Sequence, residues 1–311
     1  MLRHILWMGM CLVATLAGPT IRAQGSPGKP SSPIPAAMSA QDVPDPVLVG
    51  AGDIASCDDL SGAEATAKLI DKIPGTVFAV GDLAYPNGSD TDFANCYGPT
   101  WGRFKDRTRP VPGNHEYRSD GASGYSRYWK DAAGYPRNGY YSYDVGTWHV
   151  VALNSECGAV GGCDASSPEG RWLRSDLESH PAACTLAYFH KPLFSSGAAH
   201  GNDPEMKALW KILYGAGADV VVNGHDHDYE RFAPQDPDGK ADAEHGIREF
   251  VVGTGGKNSH RRFGPTQPNS ELRDSLTYGV LKLTLHRDSF DWEFVPESGK
   301  SFTDRGTGKC H

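Results

Sequence analysis

The chain has 311 residues, 39% hydrophobic and 22% charged, with a formal net charge of −8. That composition supports a sizeable core and argues against a surface for general nucleic-acid or anionic-membrane binding, while leaving room for a locally positive cleft. No apolar run beyond the N-terminal segment is long enough to span a bilayer, and no internal repeat is present.

Arg3 and His4 lead into an apolar run from Ile5 to Gly18, and Ile21-Arg22-Ala23 leaves a small residue at a cleavage point. Residues 1–23 are therefore expected to be a secretory signal peptide, and the protein to be exported. Residues 24–45 are Pro- and Ser-rich without apolar periodicity and read as a flexible leader. The remainder, 46–311, is expected to form one domain.

The pattern then alternates. PVLVGAGDI (46–54) is an apolar strand ending in Gly-Asp, and 61–73 has helical spacing with Ser61 and Glu64 as a capping box. TVFAVGDLAY (76–85) repeats strand into Gly-Asp, and a more polar helix near 90–106 precedes TRPVPGNHEY. YYSYDV and TWHVVALNS read as a hairpin turning at Gly146, and 167–180 as a helix capped by Ser167. Residues 184–192 and 218–230 read as strands flanking a helix near 204–214, followed by strands at 248–256 and 278–296. Strand–helix alternation followed by paired strands predicts a layered α/β sandwich.

Seven cysteines occur, and Cys11 falls in the expected signal peptide. The six others form an even set in an exported chain without a CxxC pair, which favours disulfides over zinc ligation. The expected pairs are Cys57–Cys96, Cys157–Cys163 and Cys184–Cys310.

Asp53, Asp82, Asn114, His190 and His225 all lie where an apolar strand gives out, the position at which ligand sites gather in α/β folds. With His227 they offer carboxylates, an amide oxygen and imidazoles, a donor set for iron, manganese or zinc. The set is too large for one catalytic ion and suits two. On a simple strand His225 and His227 would share a face, letting each meet one of two neighbouring ions.

Gly52-Asp53, Gly81-Asp82-Leu83-Ala84-Tyr85, Gly113-Asn114-His115-Glu116, His190 and Gly224-His225-Asp226-His227 occur in this order. Together they resemble the calcineurin-like metallophosphoesterases, and GDLAY with GHDHDYER is similar to the purple acid phosphatases within them. The resemblance implies a four-layer α/β/β/α sandwich with a single catalytic domain. It also implies a ferric ion held by Asp53, Asp82, Tyr85 and His227. Asp82 would bridge to a divalent ion (iron, zinc or manganese) held by Asn114, His190 and His225. Two such cations acidify a shared water for attack on phosphorus and stabilise phosphoryl charge.

By the same resemblance His115 contacts the substrate phosphate or protonates the leaving group, with Glu116 orienting it. His200, ten residues after His190, is a candidate general acid or phosphate ligand. The resemblance departs where the third motif ends in Glu rather than Asp. No front β-sandwich domain of the large plant type is expected, which places the chain with the small single-domain type. The expected activity is that of a secreted phosphomonoesterase acting on a small phosphorylated substrate. A phosphodiesterase for nucleotides or lipid head groups and a non-catalytic phosphate-binding protein are the rivals. The Gly-rich basic loop 253–262 is weighed as a cover over the site or a solvated connection. His149, His180, His245 and His286 belong to no motif and read as structural or surface residues.

Overall fold

Successive residues of the central strands enter two different cores. Val150, Ala152, Leu186, Tyr188, Val220 and Val222 join one buried cluster, while Val151, Leu153, Ala187 and Val221 join another. This is the period-two alternation of a sheet covered on both faces. The computed structural model describes residues 44–134, 138–257 and 262–311, together with Gly18. The expected signal peptide apart from Gly18, the expected leader up to residue 43 and residues 258–261 of the Gly-rich loop lie outside the described residues.

Chain order begins with β1 (Val47–Ala51), the short β2 (Ala55–Ser56), α1 (Ser61–Ile70), β3 (Thr76–Val80) and the short β4 (Ala84–Tyr85). There follow the single turn α2 (Asp90–Asp92), β5 (Thr108–Val111), α3 (Ser123–Trp129) and the hairpin β6 (Tyr141–Val145) and β7 (Trp148–Ala152). Next come α4 (Cys157–Val160), α5 (Pro168–Ser179), β8 (Cys184–Tyr188), α6 (Lys207–Gly215), β9 (Val220–Asn223), β10 (Tyr229–Phe232) and β11 (Arg248–Val252). The chain closes with β12 (Ser270–Asp274), β13 (Gly279–Leu285), β14 (Ser289–Pro296) and β15 (Arg305–Lys309).

The strands form a six-stranded sheet, β15-β14-β13-β1-β3-β5, and a seven-stranded sheet, β12-β10-β11-β9-β8-β7-β6. Their facing sides share the first core, where Val49, Phe78 and Leu281 belong to the same cluster as Val150, Tyr188 and Phe250. Leu173 of α5 and Leu209, Trp210 and Leu213 of α6 cover the outer side of the seven-stranded sheet. Ala63, Ala67 and Ile70 of α1 are buried against the other. This is the expected α/β/β/α sandwich. Residues 44–311 make up one compact unit. No helix among the described residues is long and apolar enough to cross a membrane.

Local signals behave as their chemistry predicts, with exceptions. Ser167 caps α5 by accepting the Gly170 N–H at 3.0 Å, and Gly146 turns the β6–β7 hairpin at φ 64°. Ser61 does not cap α1. It is the first helical residue, and its N–H is taken instead by Asp59 Oδ1 at 2.9 Å. The polar segment near 90–106 is broken into α2, a wide turn over Phe93–Tyr97 and a tight helix over Trp101–Arg107. The three disulfides pair as expected, Cys57–Cys96, Cys157–Cys163 and Cys184–Cys310.

Candidate metal centre

β1, β3 and β5 run parallel in one sheet, and β7, β8, β9 and β11 run parallel in the other. Asp53 follows β1, Asp82 follows β3, Asn114 follows β5, and His190 follows β8. His225 and His227 lie in the bend between β9 and β10. The backbone reverses sharply at these points, with φ of 59° at Asp53, 51° at Asp82 and 73° at His225. Non-glycine residues rarely adopt this left-handed region, and such strain gathers at functional sites. A Cβ on Gly113 would lie 2.4 Å from Asp82 Oδ1, and one on Gly224 would lie 2.6 Å from Asp53 Oδ2. Glycine at those two places lets one strand end approach the carboxylate of another.

One group of donors surrounds the Tyr85 hydroxyl. That oxygen lies 2.8 Å from Asp53 Oδ1, 3.1 Å from Asp82 Oδ2 and 3.2 Å from His227 Nε2. Pairing of β2 with β4, Ser56 opposite Tyr85, sets the tyrosine there. Burial, reinforced by the charges of Asp53 and Asp82, pushes its phenol well above the usual range. A phenolate at this position therefore requires a strong cation beside it.

A second group surrounds His190, which is fully buried. Its Nδ1 lies 2.9 Å from the Val80 carbonyl, which fixes Nδ1 as the donor and leaves a lone pair on Nε2. Nε2 faces Asn114 Oδ1 at 3.2 Å, His225 Nδ1 at 3.2 Å and Asp82 Oδ2 at 3.4 Å. Burial disfavours charge on His190, yet unless a cation binds there Asp82 and Asp53 outweigh it and raise the ring to about 10. A bound cation would take the place of the Nε2 proton and free that lone pair. The same field attracts a cation. His225, buried beside His190 and His200, is pushed far down and stays neutral, as a ligating imidazole must. The two groups share Asp82, and this donor set fits two cations meeting at that carboxylate.

His225 and His227 face different donor groups, but not through strand alternation. Neither lies on a strand. The left-handed turn at His225 sends it toward His190, while His227 Nε2 lies 3.3 Å from Asp53 Oδ1.

His115 Nδ1 lies 2.7 Å from the Pro86 carbonyl, and its Nε2 faces the site 3.8 Å from Asp82 Oδ2. Its ring centre is 4.3 Å from that of Tyr85. Glu116 does not orient it, and that expectation is corrected. The fully buried Glu116 carboxylate accepts the N–H groups of Asp82 and Leu83 at 2.9 Å, Ala84 at 3.2 Å and Gly113 at 2.8 Å. Burial and the Asp82 charge raise its proton affinity, opposed by these N–H groups. Glu116 is a clamp on the loop that presents Asp82.

Comparison with known proteins shows the family and the fold. The sequence model of the family described as calcineurin-like phosphoesterase matches residues 48–229. The chain belongs to the calcineurin-like phosphoesterase family. It is 31% identical to purple acid phosphatase 21 of Arabidopsis thaliana, over 83% of this chain and 65% of that one. It is 30% identical to purple acid phosphatase 15 of the same plant, over 58% of this chain and 41% of that one. The chain thus spans less than two thirds of these relatives. A purple acid phosphatase from yellow lupin (Lupinus luteus) seeds superposes with a TM-score of 0.68 at 18% identity, covering 85% of this chain and 53% of that one.

Within this calcineurin-like phosphoesterase, two contributions escaped the motif reading. Asp226, between the two histidines, holds the loop that brings in His200. It accepts Ser195 Oγ at 2.6 Å and the N–H groups of Gly201 at 2.9 Å and His200 at 3.2 Å. The His200 ring stacks on His225, centres 3.9 Å apart. Glu230 anchors the same loop through Ser196 N and Oγ, both at 2.6 Å. Lys257 is the other. Its N–H donates to the Asp53 carbonyl at 2.8 Å, and its ammonium lies 3.0 Å from Ser56 Oγ and 5.1 Å from the Tyr85 ring centre. The Gly-rich loop therefore reaches the centre at its near end. The signals were an Asp inside GHDH and a lysine after GTGG, neither distinctive without the fold.

Proposed function

We propose that this protein is an exported binuclear-metal phosphohydrolase acting on small phosphomonoesters. The observation that carries this reading is the convergence of lone pairs from Asn114, His190 and His225 on one side of Asp82, and of Asp53, Tyr85 and His227 on the other. Ferric iron suits the tyrosine side and a divalent iron, zinc or manganese the other. Such ions supply Lewis acidity toward the phosphoryl group and lower the pKa of water.

The chain's own residues do the rest. Asn114 is neutral and ligates without adding negative charge opposite an anionic ester. His115 presents Nε2 to the site while Pro86 holds Nδ1. A proton on Nε2 would pass to the leaving oxygen as the ester bond breaks, help typically worth about 10²–10⁴-fold. His200, stacked on His225, is placed to bind a phosphate oxygen or share that proton work. Lys257 adds positive charge on the Tyr85 side. Export accords with the three disulfides and the apolar N-terminal run.

The test is the pH–rate profile for an aryl phosphate monoester, with mature protein produced by export. Turnover with an acidic optimum supports the reading in full. An alkaline optimum keeps the hydrolase and removes the ferric-tyrosinate ion. Faster turnover of a diester changes the substrate class, and no turnover with both metals present overturns catalysis.

A further inference from the structure

Three residues that belong to none of the motifs meet on the outer face of the seven-stranded sheet. His149 is on β7, whose neighbours Val150 and Val151 face the inner and outer cores in turn. Asp176 is in the last turn of α5 and His180 caps that helix. His149 and Asp176 are buried, while the His180 side chain is half exposed. One donor atom from each can be chosen so that all lie within 4.8 Å of one another.

The contacts have the form of a ligand set. His149 Nε2 lies 2.8 Å from Asp176 Oδ2, and His180 Nδ1 lies 3.3 Å from Asp176 Oδ1 while donating to the Asp176 carbonyl at 2.8 Å, a bond that a cation held by Nδ1 would replace. The two imidazoles are stacked, 9° apart with centres at 4.9 Å, so the half-exposed His180 ring would turn to bring its lone pair onto an ion shared with His149. Nδ1 of His149 is engaged by Asp144 Oδ1 at 3.0 Å, directly across the β6–β7 pair. That carboxylate–imidazole contact is the arrangement that fixes the tautomer of a metal-bound histidine and raises its basicity. Ser142 Oγ in turn holds Asp176 Oδ1 at 2.8 Å.

The dimensions fit a borderline divalent cation. Bonds of 2.0–2.1 Å to a tetrahedral zinc place its ligand atoms about 3.3 Å apart, so the 2.8 Å contact need open by only about half an ångström. Two imidazoles and one carboxylate are the donors zinc prefers over magnesium or calcium. In the rival, an imidazolium on His149 is shared between Asp144 and Asp176, and His180 only caps α5, its Nδ1 donating to the Asp176 carbonyl at 2.8 Å.

We propose that His149, Asp176 and His180 form a zinc-binding site, with Asp144 orienting His149 and the remaining coordination position open to solvent beside His180. The site is separate from the candidate metal centre. His149 pairs with Thr185 at the start of β8, on the order of 15 Å along the strand from His190 at its end. A zinc here would tie the end of α5 to the edge hairpin of the sheet. It is independent of the reading of the catalytic centre.

The test is equilibrium dialysis of the full exported protein against micromolar Zn²⁺, comparing wild type with His180→Ala and Asp144→Asn. The wild type should retain one zinc more per chain than His180→Ala, with aryl phosphate turnover equal in the two. Asp144→Asn keeps all three ligands and should weaken that extra zinc about 10- to 100-fold. Anomalous scattering at the zinc edge, from wild-type crystals soaked in zinc, should place a peak among the three side chains. Equal zinc content in wild type and His180→Ala, or no peak at the cluster, overturns the proposal. Either result would leave His149 as an ion-paired imidazolium.

Discussion

His190 Nε2 and His225 Nδ1 face each other at 3.2 Å, while the other ring nitrogen of His190 is held by the Val80 carbonyl. Two ring nitrogens in that position, with Asn114 Oδ1 and Asp82 Oδ2 beside them, form a donor set suited to a cation between them. His225→Ala is therefore expected to lose one metal equivalent per chain and about 10²-fold or more in turnover. Metal analysis of the purified variant decides it, and full occupancy would remove His225 from the ligand set.

Tyr85→Phe keeps the ring and removes the one oxygen near Asp53, Asp82 and His227. Visible absorption from a phenolate–ferric pair should vanish while the divalent ion stays bound. Absorption spectra recorded alongside metal content check this, and colour that survives the substitution rules out Tyr85 as its source.

His115 and Glu116 are neighbours with different tasks, and their variants should separate. His115→Ala is expected to fold normally and lose about 10²–10⁴-fold in kcat toward esters with poor leaving groups. Glu116→Gln places an amide N–H₂ against backbone N–H groups that now have an acceptor. It should cost roughly 1–3 kcal/mol of stability. Urea unfolding of both variants tests the division, and a fully stable Glu116→Gln would contradict the clamp.

Asp226→Asn weakens the acceptor that holds Ser195, His200 and Gly201. If His200 meets phosphate, His200→Ala and Asp226→Asn should both raise KM with the metals retained. Steady-state kinetics on the two variants and their double mutant check it. Effects that add independently would mean that Asp226 does not act through His200.

Glu169, in the first turn of α5, is fully buried and accepts the Asn154 N–H at 2.7 Å. Burial raises its carboxyl to about 8, with the Asn154 N–H pulling the other way. The folded chain then binds more protons than the unfolded one from about pH 4.3 up to that value. Stability is therefore intact below the unfolded pKa and is lost as pH rises through the window. Glu169→Gln mimics the neutral acid. It should match wild type near pH 4.5 and exceed it by roughly 2–4 kcal/mol at pH 8. Unfolding midpoints across that range test the sign, and a difference independent of pH would show that Glu169 does not titrate there.

The candidate ligand residues were legible in the sequence because most stand at a change of character, an apolar strand giving way to Gly-Asp, Gly-Asn-His or Gly-His-Asp-His. Burying the strand and reversing the chain beside a partner strand both leave marks in residue type. The layered α/β class followed from the same local rules, whereas the four-layer arrangement came from the family resemblance and the disulfide set was one choice among the 15 pairings that six cysteines allow. Other assignments could not be read that way. Glu116 looked like a partner for the adjacent His115, but a carboxylate turns toward whichever donors the fold supplies, and the β3–β4 segment supplies three with Gly113 after β5 the fourth. Asp226 became an anchor for His200 only when the loop around residues 195–201 was laid against it. His149 and His180 carried no signal at all, since their meeting depends on how α5 docks on the β6–β7 hairpin. The sequence by itself determined which donor atoms this protein carries and where strands deliver them. The tertiary structure alone decided which of those atoms face one another, because hydrogen bonds and ligand sets depend on distances of a few ångströms between segments far apart in the chain.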